Sequence, residues 1–149
     1  PEYSELLPWE YGFTQAGNPM ACAAGLAMVE IMVRDDLPAN SERIGTLMTD
    51  ALKEIQNDSK LIGEVRGQGL MIGVELVRDR ETKEPAFEET DQLMAACIDH
   101  GLMIGKTGPV FGANGNVAKF KPAVNVTEED AMEMVELFGR ALRDVEAAL

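Results

Sequence analysis

The sequence is poor in the residue types that usually build metal centres and cross-links. It has one histidine and two cysteines, and aromatic residues make up 5% of its 149 residues. Both cysteines, Cys22 and Cys97, lie in apolar helical patterns, where a cysteine usually behaves as a small buried hydrophobic residue. We therefore expect two buried free thiols in a reducing cytoplasm, rather than a disulfide or a metal site.

Basic residues are also scarce. Thirteen lysines and arginines face 26 aspartates and glutamates, which gives a formal net charge of −13 at pH 7. Such a field repels nucleic acid and anionic lipid, so neither is expected as a partner. An anionic ligand could still bind, but only through backbone N–H groups or a local cluster of cations.

Long apolar runs are missing as well. The longest, Met20–Val33, has fourteen residues and a single charge, Glu30, and is too short to span a bilayer. The opening residues show no basic stretch followed by an apolar core, so no signal peptide is visible. These features favour a cytoplasmic protein without a membrane segment. A helix that is apolar nearly all round must be covered, and an internal core helix and a subunit interface are equally good interpretations of Met20–Val33.

The segment Arg66–Val77 is the organising element of the chain. Apolar residues alternate along it, which is typical of a half-buried strand; they are Leu70, Ile72, Val74 and Leu76. A shorter apolar run, Leu61–Arg66, precedes it and is separated from it by Gly67-Gln68-Gly69. Two such runs joined by a glycine-containing turn predict an antiparallel hairpin.

Helical patterns surround this hairpin. After Met20–Val33, a regular amphipathic stripe opens at Leu37-Pro38 and ends near Asn57, Glu88–His100 forms another helix, and a further helix starts at Thr127 with acids in its first turn. Short strands are predicted at Gly101–Gly105 and Asn116–Pro122. The order is helix, helix, strand, strand, helix, strand, strand, helix, which predicts an α+β fold with a mainly antiparallel sheet covered by helices.

Three places are candidates for function. The loop Gly12–Pro19 is rich in glycine and runs into a helix start at Asn18-Pro19, so its unpaired N–H groups could hold an anion. The local sequence alone favours an ordinary helix entry. Lys119 and Lys121 share one face of a strand and repel each other unless an anion lies between them; a solvated strand end is the alternative. The one histidine, His100, precedes Gly101 and is expected to cap a helix rather than to act in catalysis.

Four segments together resemble class III (omega-type) aminotransferases, which are pyridoxal-phosphate enzymes of fold type I. They are Gly12–Pro19 with the following alanines, Val65–Leu76, His100–Met103 and Lys119–Pro122. The resemblance spans roughly Tyr11 to Val145. It implies the small C-terminal domain of such an enzyme, with residues 1–36 as a lead-in that contacts the absent large domain or the partner subunit, and residues 37–149 as the small domain itself.

The resemblance also implies site residues and partners. Thr14, together with Phe13, is implied to bind the phosphate of pyridoxal 5'-phosphate in the neighbouring subunit's site of a homodimer. Lys119 is implied to contact the substrate anion, at a position where many family members have arginine; lysine keeps the charge and loses the bidentate fork. The lysine that bonds to the cofactor, the acid on its ring nitrogen and the stacking group lie upstream in this family, so no catalytic residue is assigned here.

The expected activity is transfer of an amino group from an amine or amino acid to a 2-oxo acid by the complete enzyme, with this chain inactive alone. Two alternatives stay open. One is a pyridoxal-phosphate-dependent phospholyase of the same family, since Lys119-Phe120-Lys121-Pro122 resembles the branch that contains alanine–glyoxylate aminotransferase relatives and phospholyases. The other is a stand-alone, non-catalytic α+β binding module.

Overall fold

A computed structural model of the chain describes residues 17–108 and 115–149. The chain divides into two compact units, Pro1–Leu37 and Pro38–Leu149, and we describe each by itself. Two residues implied to contact the cofactor, Phe13 and Thr14, lie outside the described residues, and their predicted role stays a prediction.

The first unit contains helix α1 (Pro19–Arg34). The side chain of Asn18 caps it by accepting hydrogen bonds from the backbone N–H groups of Met20 and Ala21 at 3.0 and 3.3 Å, and Pro19 occupies the first turn, as the sequence predicts. No residue of α1 is buried. The prediction of a buried thiol is therefore wrong for Cys22, which is exposed, because the helix that carries it is uncovered. None of the described helices is long and apolar enough to cross a bilayer.

The second unit is an α+β layer structure, as the sequence predicts. Its helices are α2 (Leu37–Asp58), α3 (Phe87–Asp99) and α4 (Glu128–Ala147), and its strands are β1 (Ile62–Gln68), β2 (Met71–Leu76), β3 (Gly105–Lys106) and β4 (Val117–Phe120). Within the described residues, the strands form one sheet in the order β1-β2-β4-β3. Every neighbouring pair is antiparallel.

One face of this sheet carries the helices. The predicted alternation in β2 is confirmed, since Ile72, Val74 and Leu76 are at most 1% exposed while Met71 is 65% exposed. The buried face packs against apolar residues of all three helices, which include Ile44 and Met48 of α2, Leu93 of α3 and Phe138 of α4. The rings of Phe120 and Phe138 meet edge to face with centroids 5.3 Å apart. The opposite face is covered by none of the described helices of residues 38–149, and we call it the open face.

The hairpin turn lies directly on α2. Gly69 has a φ of +52°, a conformation that favours glycine, and Ser41 Oγ accepts a hydrogen bond from the Leu70 N–H at 3.3 Å. A Cβ atom at Gly45 of α2 would lie only 2.1 Å from the Gly69 carbonyl oxygen. The backbone of the turn therefore contacts the backbone of α2 directly. This contact sets the distance between the hairpin turn and the helix.

The third strand begins later than the sequence predicts. The predicted strand Gly101–Gly105 is replaced by β3 at Gly105–Lys106, because the residues after α3 complete the end of that helix. The Gly101 N–H donates to the Ile98 carbonyl and the Leu102 N–H to the Cys97 carbonyl, at 2.9 and 2.8 Å. These two bonds form a Schellman motif with Gly101 at a φ of +84°. His100 is the C-cap residue of α3, as predicted.

The two thiols are expected to differ in reactivity in the native chain. Burial raises the pKa of Cys97 to about 11, so almost none of it is thiolate at pH 8, whereas Cys22 is exposed. Alkylation with iodoacetamide at pH 8, read by intact mass, should add one group to the folded chain and two in guanidinium chloride. Modification of Cys97 in the folded chain at the rate of Cys22 would contradict this burial.

Candidate functional site

A row of four residues crosses the open face of the sheet. Arg66 of β1 pairs with Gly73 of β2, Gly73 pairs with Lys119 of β4, and Lys119 pairs with Gly105 of β3. Residues directly opposite each other in a sheet share a face, so Lys119 has a glycine on each side. Lys119 is half-buried, and its Cε atom would lie 3.8 Å from a Cβ atom at Gly105, so the lysine stem lies over this glycine.

Three residues of this row, Arg66, Gly73 and Lys119, form the floor of an open groove of about 560 Å³. Its lining comes from β1, β2 and β4 and the ends of these strands, and consists of Arg66, Gly67, Gln68, Met71, Ile72, Gly73, Val117, Lys119 and Lys121. Gly73 is close to its neighbour, since a Cβ atom there would lie 3.1 Å from Val117 Cγ1. The groove therefore has a backbone floor with three cationic side chains along it.

Arg66 is the cation of the groove that already has acidic partners. Its Nη1 donates to Glu64 Oε2 at 2.7 Å and to Glu75 Oε2 at 2.6 Å. The hydrogen bond to Glu75 is the main cause of a raised pKa for the Arg66 guanidinium, with a further contribution from Glu64. Glu64 and Glu75 are directly opposite in the sheet, where two like charges would repel. Arg66 therefore serves to neutralise this acidic pair.

Lys119 and Lys121 differ from Arg66 in having no acidic partner among the described residues. The lysine that does form an ion pair in this part of the chain is Lys106, with Asp91. Strand β4 ends at Phe120, before the end of the predicted strand Asn116–Pro122, so Lys121 follows it directly. Two residues separated by one residue in extended backbone lie roughly 6.6 Å apart, a distance at which two like charges repel by about 0.6 kcal/mol in water. An anion between them would be attracted by both, in a chain that otherwise carries a charge of −13.

The cations of the groove suit an anionic ligand, and the lysines of the described residues are solvent-accessible. None of the six lysines of the chain is buried, whereas a lysine that bonds to a cofactor needs an enclosed, desolvated site. The described residues contain no group of three or more metal-ligating side chains. The single histidine is held in a structural contact, with His100 Nε2 at 2.7 Å from Asp144 Oδ2 of α4. We therefore derive no covalent step from this part of the chain.

The structure places the predicted substrate residue Lys119 on the groove floor and buries its strand neighbours Ala118 and Phe120, as the alternation predicts. Sequence reasoning missed Gly73 and Gly105 as the residues that keep the lysine accessible. The available signal was Gly73 at an outward position of a strand pattern, since glycine in a strand often marks close approach by a ligand or another backbone.

Comparison with known proteins identifies the family. The family model "Aminotransferase class-III" matches residues 2–142. The leucine/methionine racemase of Thermococcus litoralis is 37% identical over 141 residues, which cover 95% of this chain and 30% of that protein. The mitochondrial alanine–glyoxylate aminotransferase 2 of Homo sapiens is 36% identical over 130 residues, covering 87% of this chain and 24% of that protein.

Solved structures agree with these relatives. A Bacillus anthracis aminotransferase superposes with a TM-score of 0.84 at 32% identity, covering 97% of this chain and 32% of that one. An amine transaminase from an uncultivated Pseudomonas species, in its pyridoxal-phosphate-bound form, superposes with a TM-score of 0.80 at 30% identity, covering 91% and 30%.

The chain spans less than a third of the length of these relatives, a share that fits the C-terminal part implied by the sequence motifs. The match extends over nearly all of the described residues, including both units. The chain therefore belongs to the class III aminotransferase family.

Proposed function

We propose that this chain is the C-terminal part of an enzyme that transfers an amino group from an amine or amino acid to a 2-oxo acid. The observation that carries the proposal is Lys119, a cation without an acidic partner among the described residues, which lies between two glycines on the open face of a class III aminotransferase domain. A 2-oxo acid carries a carboxylate, and a carboxylate is the group that such a lysine would bind.

Pyridoxal 5'-phosphate, when bound, would supply the electron sink that amino-group transfer requires. We propose that Phe13 and Thr14 hold its phosphate across a homodimer, and that the residues bonded to its ring come from polypeptide outside this chain. Membership of this family supports pyridoxal phosphate as the cofactor. None of the described lysines is enclosed, which supports the proposal that the lysine bonded to the cofactor belongs to polypeptide outside this chain. The chain alone is then inactive.

Helix α1 supports the proposed homodimer. It exposes seven large apolar residues, namely Met20, Leu26, Met28, Val29, Ile31, Met32 and Val33. Apolar patches of this kind are typical of surfaces that another polypeptide covers. This surface is available to a partner subunit or to polypeptide outside this chain, and we propose the partner subunit as its occupant.

In this proposal the residues of the chain position the substrate. Lys119 binds and orients the carboxylate, and Gly73 and Gly105 leave room for it on the sheet. Arg66, held by Glu64 and Glu75, lies at the β1 end of the same row. Holding the substrate in one orientation is what allows chemistry at the neighbouring carbon to be efficient.

One observation favours a second candidate, since one relative is named a leucine/methionine racemase. Racemisation and amino-group transfer both start from an amino acid with a carboxylate, so the groove accommodates either. They differ in whether the amino group leaves the carbon skeleton.

The test uses the complete protein that contains this chain, supplied with pyridoxal phosphate, an L-amino acid and a 2-oxo acid. We expect the amino group to appear on the 2-oxo acid, as measured by chromatography of the new amino acid. The same samples are analysed on a chiral column. Formation of the D-enantiomer without any new amino acid would contradict transfer and favour the racemase. A separate sample receives a phosphorylated amine in place of the L-amino acid, and release of phosphate there without transfer would favour the phospholyase.

The 149-residue chain alone is the matched control. It should give no new amino acid and retain no cofactor after borohydride reduction, since none of its lysines is enclosed in the described residues. Transfer by the isolated chain, or cofactor fixed to one of its lysines, would overturn the proposal that catalysis needs polypeptide outside it.

A further inference from the structure

Lys121 is a second cation in the same groove. It follows β4 directly and lines the groove together with Lys119. Both lysines also line a smaller hollow of about 240 Å³ on the other side of β4, beside Gly105, Pro122 and Met134. Lys119 and Lys121 therefore lie between the groove and the smaller hollow. Because both line the groove, both can contact a ligand bound there.

We propose that this groove selects substrates with two negatively charged groups, with Lys119 binding the carboxylate next to the reacting carbon and Lys121 binding the second anion. The inference rests on the proposed function and deepens it by naming the substrate class. A second carboxylate and a phosphate ester share the chemistry that the pair recognises.

The spacing of the lysines supports two separate anions. Extended backbone, the conformation of β4, would place their Cα atoms roughly 6.6 Å apart, and each lysine carries its ammonium on a flexible four-carbon stem. The two carboxylates of a five-carbon 2-oxo diacid are separated by three carbons, so each lysine can reach one of them. A single carboxylate could use both lysines only if both stems converged on it.

Lys121 is the cation that can bind the second anion of the substrate, because the neighbouring cations are already paired with carboxylates. Arg66 is engaged with Glu64 and Glu75, and Lys106 with Asp91. Among the described residues of the groove, Lys119 and Lys121 are the cations without acidic partners. The acidic pair beside Arg66 also disfavours a second anion at that end, so the second group is directed towards Lys121.

The test compares binding of unreactive acids to the complete, cofactor-loaded protein by calorimetry. We expect glutarate, with two carboxylates, to bind at least tenfold more tightly than butyrate, with one. Lys121→Gln should weaken glutarate about tenfold and leave butyrate within twofold. Lys60→Gln, at an exposed lysine outside the groove, removes the same charge and should change neither.

Equal affinity for glutarate and butyrate, or a loss for Lys121→Gln that is the same for both acids, would overturn the inference. A second arm measures 3-phosphonopropionate, with one carboxylate and one phosphonate, against butyrate, and shows whether a phosphate-like group can replace the second carboxylate. Preference for either dianion that depends on Lys121 supports the inference. These readouts involve no turnover. Failure of amino-group transfer would therefore refute the proposed function, while failure of the dianion preference would refute only the inference.

Discussion

Replacing Lys119 with methionine in the complete protein is expected to lower kcat/KM for a 2-oxo acid about 10- to 100-fold. A hydrogen bond to a charged group contributes about 1.5–3 kcal/mol, and each 1.4 kcal/mol corresponds to a factor of ten. Methionine keeps most of the length and the apolar stem of lysine, so the sheet should be unaffected. Steady-state rates with pyruvate as the amino acceptor measure the effect.

The control for this variant is Lys119→Arg. Arginine keeps the charge and can bind a carboxylate with two parallel hydrogen bonds, so it should retain activity within a few fold of the parent. An uncharged aldehyde acceptor provides a second control, because it has no carboxylate to lose. A methionine variant that is as active as the parent on pyruvate, or that loses the same factor on the aldehyde, would contradict a role for Lys119 in binding the anion.

The second large effect is expected at the contact between α2 and the hairpin turn. Gly45→Ala should lower the free energy of unfolding by about 3 kcal/mol, at the upper end of the range for overpacked sites. The new Cβ would lie 2.1 Å from the carbonyl oxygen of Gly69 and 2.2 Å from its carbonyl carbon. Both are backbone atoms, so the turn or the helix must shift. Urea unfolding of the chain followed by circular dichroism measures the loss.

The matched control is Gly25→Ala in α1. This glycine also lies inside a helix, but a Cβ there meets no atom within 4 Å. Alanine is a better helix former than glycine by about 1 kcal/mol, so this variant should have unchanged or slightly raised stability. If Gly45→Ala unfolded at the same urea concentration as the parent, α2 and the hairpin would not be in the contact described.

Much of the fold could be predicted because local patterns and packing agree. The alternation from Leu70 to Leu76 requires a strand with one buried face, and that face is buried. Thr127 followed by three acids indicates a helix start, and its side chain does accept from the Asp130 N–H at 3.1 Å. In both cases one short stretch of sequence contains the whole signal.

The features that could not be predicted depend on partners distant in sequence. The sequence predicts the strand after α3 too early, because the residues from Gly101 complete the Schellman motif and pairing with β4 begins only at Gly105. The exposure of Cys22 depends on which polypeptide covers α1. The apolar pattern of α1 does not specify that polypeptide. Likewise, the accessibility of Lys119 follows from the register that places Gly73 and Gly105 beside it, and no local pattern specifies a register between three strands.

In the proposed function, Lys119 receives the substrate carboxylate on the open face of the sheet. The most direct measurement is an experimental structure of the complete protein with pyridoxal phosphate and a bound 2-oxo acid. We predict a substrate carboxylate oxygen at about 2.8 Å from Lys119 Nζ, the usual distance for an ammonium and a carboxylate. A carboxylate bound elsewhere, with Lys119 directed into bulk solvent, would contradict the account.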